Sequence, residues 1–181
     1  MECDHSLAHD LRVVKAIASL QSVQDDVSGQ DLSTAADQLS TAGSVYLLGQ
    51  LHSAPVVDSL SYMLTKIGMK YSSGGLATHM AGTIPVDDVL VAVSFRYYAI
   101  EVVSISENLK GAGTNVVAIE DSTLSPLEKS ADALLVGPEN RHTLSWSIAA
   151  PMCISQALVL ATAARLQVDA DLPEIPTVTR A

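Results

Sequence analysis

A short polar segment that follows an apolar run carries the first candidate chemistry in the sequence. Gly49 ends the apolar run of residues 45–49, and Ser53 and Pro55 stand where a helix would begin. Glycine allows close approach of the backbone, a serine at this position caps the helix, and a helix N-terminus favours negative charge. The segment therefore predicts an oxyanion site contacted by Gly49 and Ser53, although capping alone would also explain Ser53.

A second polar segment follows another apolar run, that of residues 89–94. It contains Ser94, Arg96 and Tyr97, and Arg96 is the only Lys or Arg in the two segments. Hydroxyls and a guanidinium donate hydrogen bonds to an anion, so these three residues are candidate ligands of a phosphate. A solvated surface charge is the alternative role of Arg96.

Three further residues are candidates for acid–base chemistry. Glu101 lies in the first turn of the helix that would follow the second segment, where it either complements the helix dipole or acts as a general base. Imidazole titrates near neutrality, which makes His52 and His142 candidate proton shuttles or, alternatively, structural histidines. We therefore name Glu101, His52 and His142 as the catalytic candidates.

A third polar segment, residues 120–125, is rich in hydroxyls but acidic. Ser122 within it is therefore better suited to sugar hydroxyls than to phosphate. The sequence contains no HExxH, P-loop or GxGxxG motif and no spacing of Cys, His or carboxylate residues typical of metal ligands. We expect neither a metal nor a cofactor, which leaves small anionic ligands.

Five short apolar runs, separated by helical stretches, must position these segments. Such runs are typical of buried strands, and their alternation with helices favours a parallel sheet with right-handed crossovers. The runs cover residues 45–49, 69–72, 89–94, 115–119 and 133–136. We predict an α/β three-layer sandwich whose five strands have the flavodoxin-like order 2-1-3-4-5. That order places the first two polar segments side by side at the ligand crevice.

The domain organisation follows from length and from the flanking regions. At 181 residues the chain has the length of one domain. We expect an N-terminal helix in residues 1–30, a sheet domain in 31–168 and a tail in 169–181. Residues 143–164 carry no charged side chain and are long enough to cross a membrane, but the Pro, Ser, Thr and Gln residues among them favour a buried or subunit-interface helix.

Composition excludes several classes of protein. Hydrophobic residues make up 48% and charged residues 17% of the chain, which excludes intrinsic disorder. The formal charge is −10, and cations equal anions in residues 51–100, so we expect an anionic ligand there and no direct binding of nucleic acid. The two cysteines are far apart and the N-terminus lacks the apolar core of a signal peptide, which favours the cytoplasm and no membrane association.

An ordered set of positions extends over about residues 30–168. It consists of Gly49, Ser53, Asp88, Ser94-Phe95-Arg96-Tyr97, Glu101, Gly111-Ala112, Ser125-Pro126-Leu127 and Ala131-Asp132. This set resembles the sugar isomerase (SIS) domain, and most closely the effector domain of RpiR-type transcriptional regulators. The resemblance implies a five-stranded parallel sheet, a phosphosugar ligand and a homodimer or tetramer. It also implies that Ser53 lies in the first phosphate loop and that Ser94, Arg96 and Tyr97 lie in the second.

Two features depart from that family. Many SIS domains have a Ser-x-Ser-Gly-x-Thr pattern in the second loop, whereas this chain has the arginine–tyrosine form, with Arg96 and Tyr97, found in part of the RpiR-like group. The phosphate class of ligand is therefore expected to transfer, but the identity of the sugar is not. RpiR-type regulators also begin with a helix-turn-helix domain of roughly eighty residues, for which we expect no room in this chain.

Three functions are compatible with these observations. The first is a phosphosugar sensor or regulatory module of RpiR type without a DNA-binding part. The second is an aldose–ketose sugar-phosphate isomerase acting through an enediolate, with Glu101 as base and His52 or His142 as proton shuttle. The third is a structural interaction protein with a degenerate pocket. We favour binding without catalysis, because the loops indicate an anion site while no motif indicates an acid–base pair.

Overall fold

The computed structural model describes residues 3–75, 79, 81–95, 98–137 and 147–168. Its strands are β1 (Val45–Leu48), β2 (Tyr71–Ser73), β3 (Val89–Val93), β4 (Asn115–Glu120) and β5 (Ala133–Val136). Its helices are α1 (Cys3–Asp26), α2 (Gly29–Thr41), α3 (Ala54–Lys66), α4 (Ile100–Gly111) and α5 (Ala149–Leu166). Short 3-10 turns cover Leu51–Ser53, Ala81–Thr83 and Pro126–Lys129. Helix α1 falls within the predicted segment 1–30, whereas the predicted tail, 169–181, lies outside the described residues.

The strands form one parallel sheet in the order β2-β1-β3-β4-β5. In its register, Val45 lies beside both Tyr71 and Val89, and Val89 lies beside Asn115. The predicted three-layer α/β fold and its strand order are thereby confirmed. The order brings the carboxyl ends of β1 and β3 together at the centre of the sheet, where the chain direction of the crossovers reverses.

Helices cover both faces of the sheet, so alternate strand residues enter two different cores. On one face, alternate residues of β1, β3, β4 and β5 pack against α2, α3 and α5, and on the other they pack against α4 and Leu127. Every residue of β1 and β3 is buried. This double coverage explains why those strands read as continuous apolar runs rather than as alternating patterns.

Two carboxylates fasten the amino edge of the sheet. Asp88 directly precedes β3, and its Oδ1 accepts a hydrogen bond from the Ser44 N–H, just before β1, at 2.8 Å. Asp132 directly precedes β5, and its Oδ2 accepts from the Val116 N–H of β4 at 2.9 Å. Its other oxygen, Oδ1, pairs with Lys110 of α4. Each aspartate therefore joins the start of one strand to the start of its neighbour.

Helix α5 contains most of the uncharged segment predicted from the sequence. Among the described residues it is the one helix long and apolar enough to cross a membrane. Its Ile154 and Leu158 are fully buried in the core beneath the sheet, a position that accounts for an apolar composition. At its C-terminal end, Arg165 forms an ion pair with Asp37 of α2 and donates to Ser33 Oγ at 2.8 Å. One side of the helix is therefore in the core, the helix is 44% buried as a whole, and the subunit-interface alternative stays a prediction. Residues 143–146 lie outside the described residues.

Candidate functional site

A cavity of about 130 Å³ lies at the carboxyl ends of β1 and β3. The residues that line it come from the loops after these two strands and from the approach to α4. They are Gln50, Leu51, His52, Ser53, Ser94, Phe95 and Ala99. The structure therefore brings the two polar segments that follow β1 and β3 together, as the predicted strand order requires.

Gly49 forms the floor of the first loop, and the backbone there has no room for a side chain. A Cβ at this position would lie 2.7 Å from Val57 Cγ2 and 3.0 Å from both Ser53 Oγ and the Val93 carbonyl oxygen. All of these contacts are closer than ordinary van der Waals distances. Glycine is therefore required by the close packing of β1 against α3 and β3, independently of any ligand.

Ser53 lies at the base of the cavity with 2% of its surface exposed. Its hydroxyl donates to the Gln50 carbonyl oxygen at 2.8 Å and makes no capping hydrogen bond with α3. The capping role considered for Ser53 is therefore wrong. The reason is that the 3-10 turn Leu51–Ser53 runs directly into α3, so Ser53 already has a helical backbone and its hydroxyl bonds back to the preceding turn.

Ser94 lies at the base of the same cavity on the neighbouring strand, with 3% of its surface exposed. Its backbone N–H donates to the Ile119 carbonyl oxygen at 3.1 Å, which continues the pairing of β3 with β4 by one residue. Ser94 therefore directly follows β3, whereas Ser53 ends the 3-10 turn that leads from β1 into α3, and both residues line one cavity. The other two predicted anion ligands, Arg96 and Tyr97, lie outside the described residues.

A hydrogen bond joins the loop after β1 to the first turn of α4. Gln50 Nε2, from the loop after β1, donates to Glu101 Oε2, in the first turn of α4. Glu101 is exposed, and its position in the first turn also complements the helix dipole. His52 lines the same cavity, whereas His142 lies outside the described residues. Two of the three catalytic candidates are thus near one cavity, Glu101 through its contact with Gln50.

Ser122 belongs to a turn away from the cavity lining. Its hydroxyl accepts a hydrogen bond from the Leu124 N–H at 3.1 Å, and its carbonyl oxygen accepts from the Ser125 N–H at 3.2 Å. These bonds shape the loop between β4 and the turn Pro126–Lys129. The Ser125 hydroxyl accepts from the Leu127 N–H at 3.1 Å and thereby caps the turn Pro126–Lys129.

A buried acidic cluster at the carboxyl end of β4 is the feature that sequence reasoning missed. Glu120 is fully buried, and neither of its carboxyl oxygens has a hydrogen-bond partner within the described part of the chain. Burial raises the pKa of Glu120 to about 9; the nearby Ser125 hydroxyl opposes this rise and the charge of Asp121 adds to it. The carboxyl group is therefore neutral at pH 7. An acidic residue at the last position of an apolar strand was the signal that could have revealed it.

Tyr98 closes over this cluster. Its hydroxyl donates to Asp121 Oδ1 at 2.9 Å. Burial, followed by the hydrogen bond to Asp121, raises the pKa of Tyr98 above its ordinary value, so the phenol keeps its proton. This hydrogen bond connects Tyr98, two residues before α4, to Asp121, directly after β4.

Comparison with a protein-family model shows a match to the SIS domain over residues 38–163. This range includes all five strands and both loops of the cavity. No curated protein matches the chain in sequence.

Solved structures with the same fold include a transcription factor domain and two ligand-bound proteins. The sugar isomerase domain of an RpiR transcription factor from Sphaerobacter thermophilus has a TM-score of 0.80 and 21% identity, covering 86% of this chain and 89% of that one. The Vibrio vulnificus NanR protein complexed with ManNAc-6P has a TM-score of 0.79 and 21% identity, covering 88% of this chain and 63% of that one. An Escherichia coli CFT073 protein in complex with a phosphosugar has a TM-score of 0.71 and 19% identity, covering 90% of this chain and 93% of that one.

Proposed function

The chain belongs to the SIS-domain family, and from that membership we propose that it binds a phosphorylated sugar in the cavity between the carboxyl ends of β1 and β3. The observation that carries the proposal is the pair of buried hydroxyls, Ser53 and Ser94, at the base of this cavity. The Ser94 hydroxyl can donate to an oxyanion, and the Ser53 hydroxyl can do so when it rotates away from the Gln50 carbonyl oxygen. The NanR protein complexed with ManNAc-6P and the Escherichia coli protein in complex with a phosphosugar support this ligand class.

Each predicted binding residue has a role in this proposal. Ser53 and Ser94 hold the phosphate, with the backbone at Gly49 closing the floor beneath it. Arg96 and Tyr97 belong to the second loop, where the guanidinium supplies the positive charge that the two hydroxyls lack. Ser122, whose hydroxyl accepts from Leu124, stays a prediction as a contact for sugar hydroxyls.

Binding without turnover, as in a sensor or regulatory module of RpiR type, is the function that we propose. A regulatory role fits the Gln50–Glu101 hydrogen bond, which links a loop that lines the cavity to helix α4. We propose that a ligand in this cavity changes the contact between Gln50 and Glu101 and so alters the relative position of α3 and α4. Ligand occupancy can therefore be converted into a change of shape.

An aldose–ketose sugar-phosphate isomerase is the second candidate, favoured by the location of His52 on the cavity and of Glu101 beside it. In that reaction Glu101 removes the proton from the carbon next to the carbonyl, and the resulting enediolate is reprotonated on the neighbouring carbon. His52 or His142 moves the proton between the two oxygens. Neither a metal nor a cofactor is needed for this chemistry.

Helices α1 and α5 expose large apolar side chains that we propose to be a subunit interface. Helix α1 exposes Val13, Val14, Ile17 and Leu20 at helical spacing, and α5 exposes Leu160. Large apolar side chains exposed on one helix face are typical of a subunit interface. We propose that a second copy of the chain covers them, giving a homodimer or a tetramer. The cytoplasm, without contact to membrane or nucleic acid, stays a prediction from the sequence.

Calorimetric titration with a panel of hexose and pentose phosphates tests the binding function. We expect Ser53→Ala and Ser94→Ala each to remove a hydrogen bond to a charged group, which is about 1.5–3 kcal/mol or roughly ten- to hundred-fold in Kd. Arg96→Ala should weaken binding by at least as much. Ser40→Ala is the matched control, because its hydroxyl bonds to the Asp37 carbonyl oxygen within α2 and Ser40 does not line the cavity.

Two results would decide against the proposal. If no sugar phosphate binds, or if both serine variants bind like the unchanged protein, the phosphate site is wrong. If the unchanged protein converts a sugar phosphate into its isomer and Glu101→Gln abolishes that conversion, the isomerase replaces the sensor. Chromatographic analysis of the same incubations gives this second readout.

A further inference from the structure

The second loop, residues 94–99, is fastened to β4 at both of its described ends. At its start, the Ser94 N–H donates to the Ile119 carbonyl oxygen at 3.1 Å. Near its other end, the Tyr98 hydroxyl donates to Asp121 Oδ1 at 2.9 Å. Ile119 lies in β4 and Asp121 directly follows that strand, so both contacts hold the loop to the same strand end. A short chain segment with both ends held has few conformations.

Helix α4 begins without a side-chain cap of its own. Its N-cap residue is Ala99, whose methyl group cannot accept a hydrogen bond from the first turn. The Ala99 carbonyl oxygen accepts from the Val103 N–H at 3.2 Å, and Ala99 also lines the cavity. The hydrogen bond from Tyr98, the preceding residue, to Asp121 therefore acts at the point where the loop, the helix and the cavity meet.

The Tyr98 side chain is suited to hold this point in place. It is half-buried, and its hydroxyl keeps its proton because burial and the hydrogen bond to Asp121 raise the pKa of Tyr98. The acceptor is a carboxyl oxygen, and a hydrogen bond to a charged acceptor is stronger than one between neutral groups. Tyr98 is not among the described residues that line the cavity, so it acts on a ligand through the loop.

Building on the proposed phosphosugar site, we propose that Tyr98 is a positioning residue, whose hydrogen bond to Asp121 holds the end of the second loop where the site can bind phosphate. Arg96, which supplies the positive charge of the proposed site, stands in the sequence between the two fastened ends. The Tyr98 hydroxyl determines the fraction of molecules in which the loop is ready to bind. The apparent Kd is the intrinsic Kd divided by this fraction.

Calorimetric titration with inorganic phosphate and with the tightest-binding sugar phosphate of the panel tests this inference. Tyr98→Phe removes only the hydroxyl. Loss of a hydrogen bond to a charged group shifts an equilibrium by roughly ten- to hundredfold, so we expect Kd for both ligands to rise about tenfold. Asp121→Ala removes the acceptor and should have the same effect. Asp121→Asn keeps an oxygen acceptor and should stay within about threefold of the unchanged protein.

Two further measurements separate positioning from general damage. Tyr71→Phe is the matched control, because the Tyr71 hydroxyl accepts from Thr65 Oγ1 at 3.3 Å and Tyr71 does not line the cavity, so Kd should stay unchanged. A double-mutant cycle then combines Tyr98→Phe with Arg96→Ala. If Tyr98 positions the loop, the loss caused by Arg96→Ala should be at least about threefold smaller in the Tyr98→Phe protein than in the unchanged protein.

The possible failures are distinguishable. If the unchanged protein binds a sugar phosphate and Tyr98→Phe binds it with the same Kd, the inference is overturned while the phosphosugar function stands. The same holds if Arg96→Ala has an equal effect in both proteins, or if Asp121→Asn weakens binding as much as Tyr98→Phe does. These three results decide the question even if Asp121→Ala does not fold. If no sugar phosphate binds, the proposed function itself is wrong and the inference falls with it.

Discussion

Replacing Glu120 by glutamine should remove a large part of the pH dependence of folding stability. Glu120 is fully buried without a hydrogen-bond partner among the described residues, and its pKa is raised from an ordinary 4.5 to about 9. In the folded protein the carboxyl group therefore keeps its proton up to about pH 9, whereas in the unfolded chain it loses that proton near pH 4.5. Glutamine has almost the same shape and does not titrate.

The sign of the effect follows from proton linkage. Between pH 4.5 and about 9 the folded state binds one proton more than the unfolded state at this site, so the free energy of unfolding falls as pH rises. The limiting slope for one such group is about 1.4 kcal/mol per pH unit. Between pH 5 and pH 8 the loss amounts to about 4 kcal/mol, a large share of the stability of an ordinary domain. The contribution is fully present below pH 4.5 and is lost on approaching pH 9.

Urea denaturation at pH 5, 6.5 and 8 measures this slope. A buried glutamine amide adds its own constant penalty, so the comparison concerns the change of unfolding free energy with pH rather than its value at one pH. We expect the unchanged protein to lose several kcal/mol more than Glu120→Gln over this range. The slope of the unfolding free energy against urea concentration should be similar for both proteins, because both expose the same surface when they unfold.

Glu128→Gln supplies the matched control. Glu128 is an exposed glutamate in the neighbouring turn, and its replacement should leave the pH dependence of the unchanged protein intact. If the unfolding free energy changes with pH in the same way for the unchanged protein and for Glu120→Gln, the reasoning is refuted. That result would mean that Glu120 is ionised or reached by water in the folded state.

Three other perturbations have defined outcomes. Gly49→Ala places a Cβ within 3.0 Å of the neighbouring strand and helix and should cost about 1–3 kcal/mol in urea denaturation, whereas Gly29→Ala, with open space around it, should not. Asp88→Ala leaves a backbone N–H at the amino edge of the sheet without its acceptor and should cost about 1–3 kcal/mol, while Asp87→Ala, an exposed neighbour, should stay within about 0.5 kcal/mol. Ile17→Lys puts a charge on the exposed apolar face of α1 and should raise the dissociation constant of the oligomer by roughly tenfold or more in sedimentation; an unchanged constant would place the interface elsewhere.

The sheet and the order of its strands could be predicted, because a strand buried on both faces is a continuous apolar run in the sequence. A strand covered by helices on both sides has no polar face, and the runs that include Val45–Leu48 and Val89–Val93 show this directly. Parallel strands require crossovers of one hand, so few orders remained. The convergence of the loops that contain Ser53 and Ser94 followed from the strand order alone.

The details of the site depend on local geometry that residue types do not determine. Serine before a helix can cap it or bond back into a turn, and a 3-10 turn preceding α3 selected the second option for Ser53. The left-handed backbone of Leu51 could not be expected, because leucine rarely adopts it. The sequence alone places Glu120 in an acidic loop, because the burial of a single carboxyl group at a strand end depends on the residues packed around it, and the residue types do not reveal these.

Asp88 and Asp132, at the amino edge of the sheet, bear on which parts of the protein can move when a ligand binds. Asp88 joins the start of β3 to the start of β1, and Asp132 joins the start of β5 to that of β4, so we expect the amino edge of the sheet to deform less than the cavity end. We therefore expect a ligand in the cavity to move the helices that follow β1 and β3 more than it moves the strands themselves. We expect ligand to change hydrogen-exchange rates in the first turns of α3 and α4 and to leave the amide protons of Ser44 and Val116 unaffected. Faster hydrogen exchange at the Ser44 amide in the liganded protein would contradict this expectation, because it would show that the amino edge of the sheet also moves.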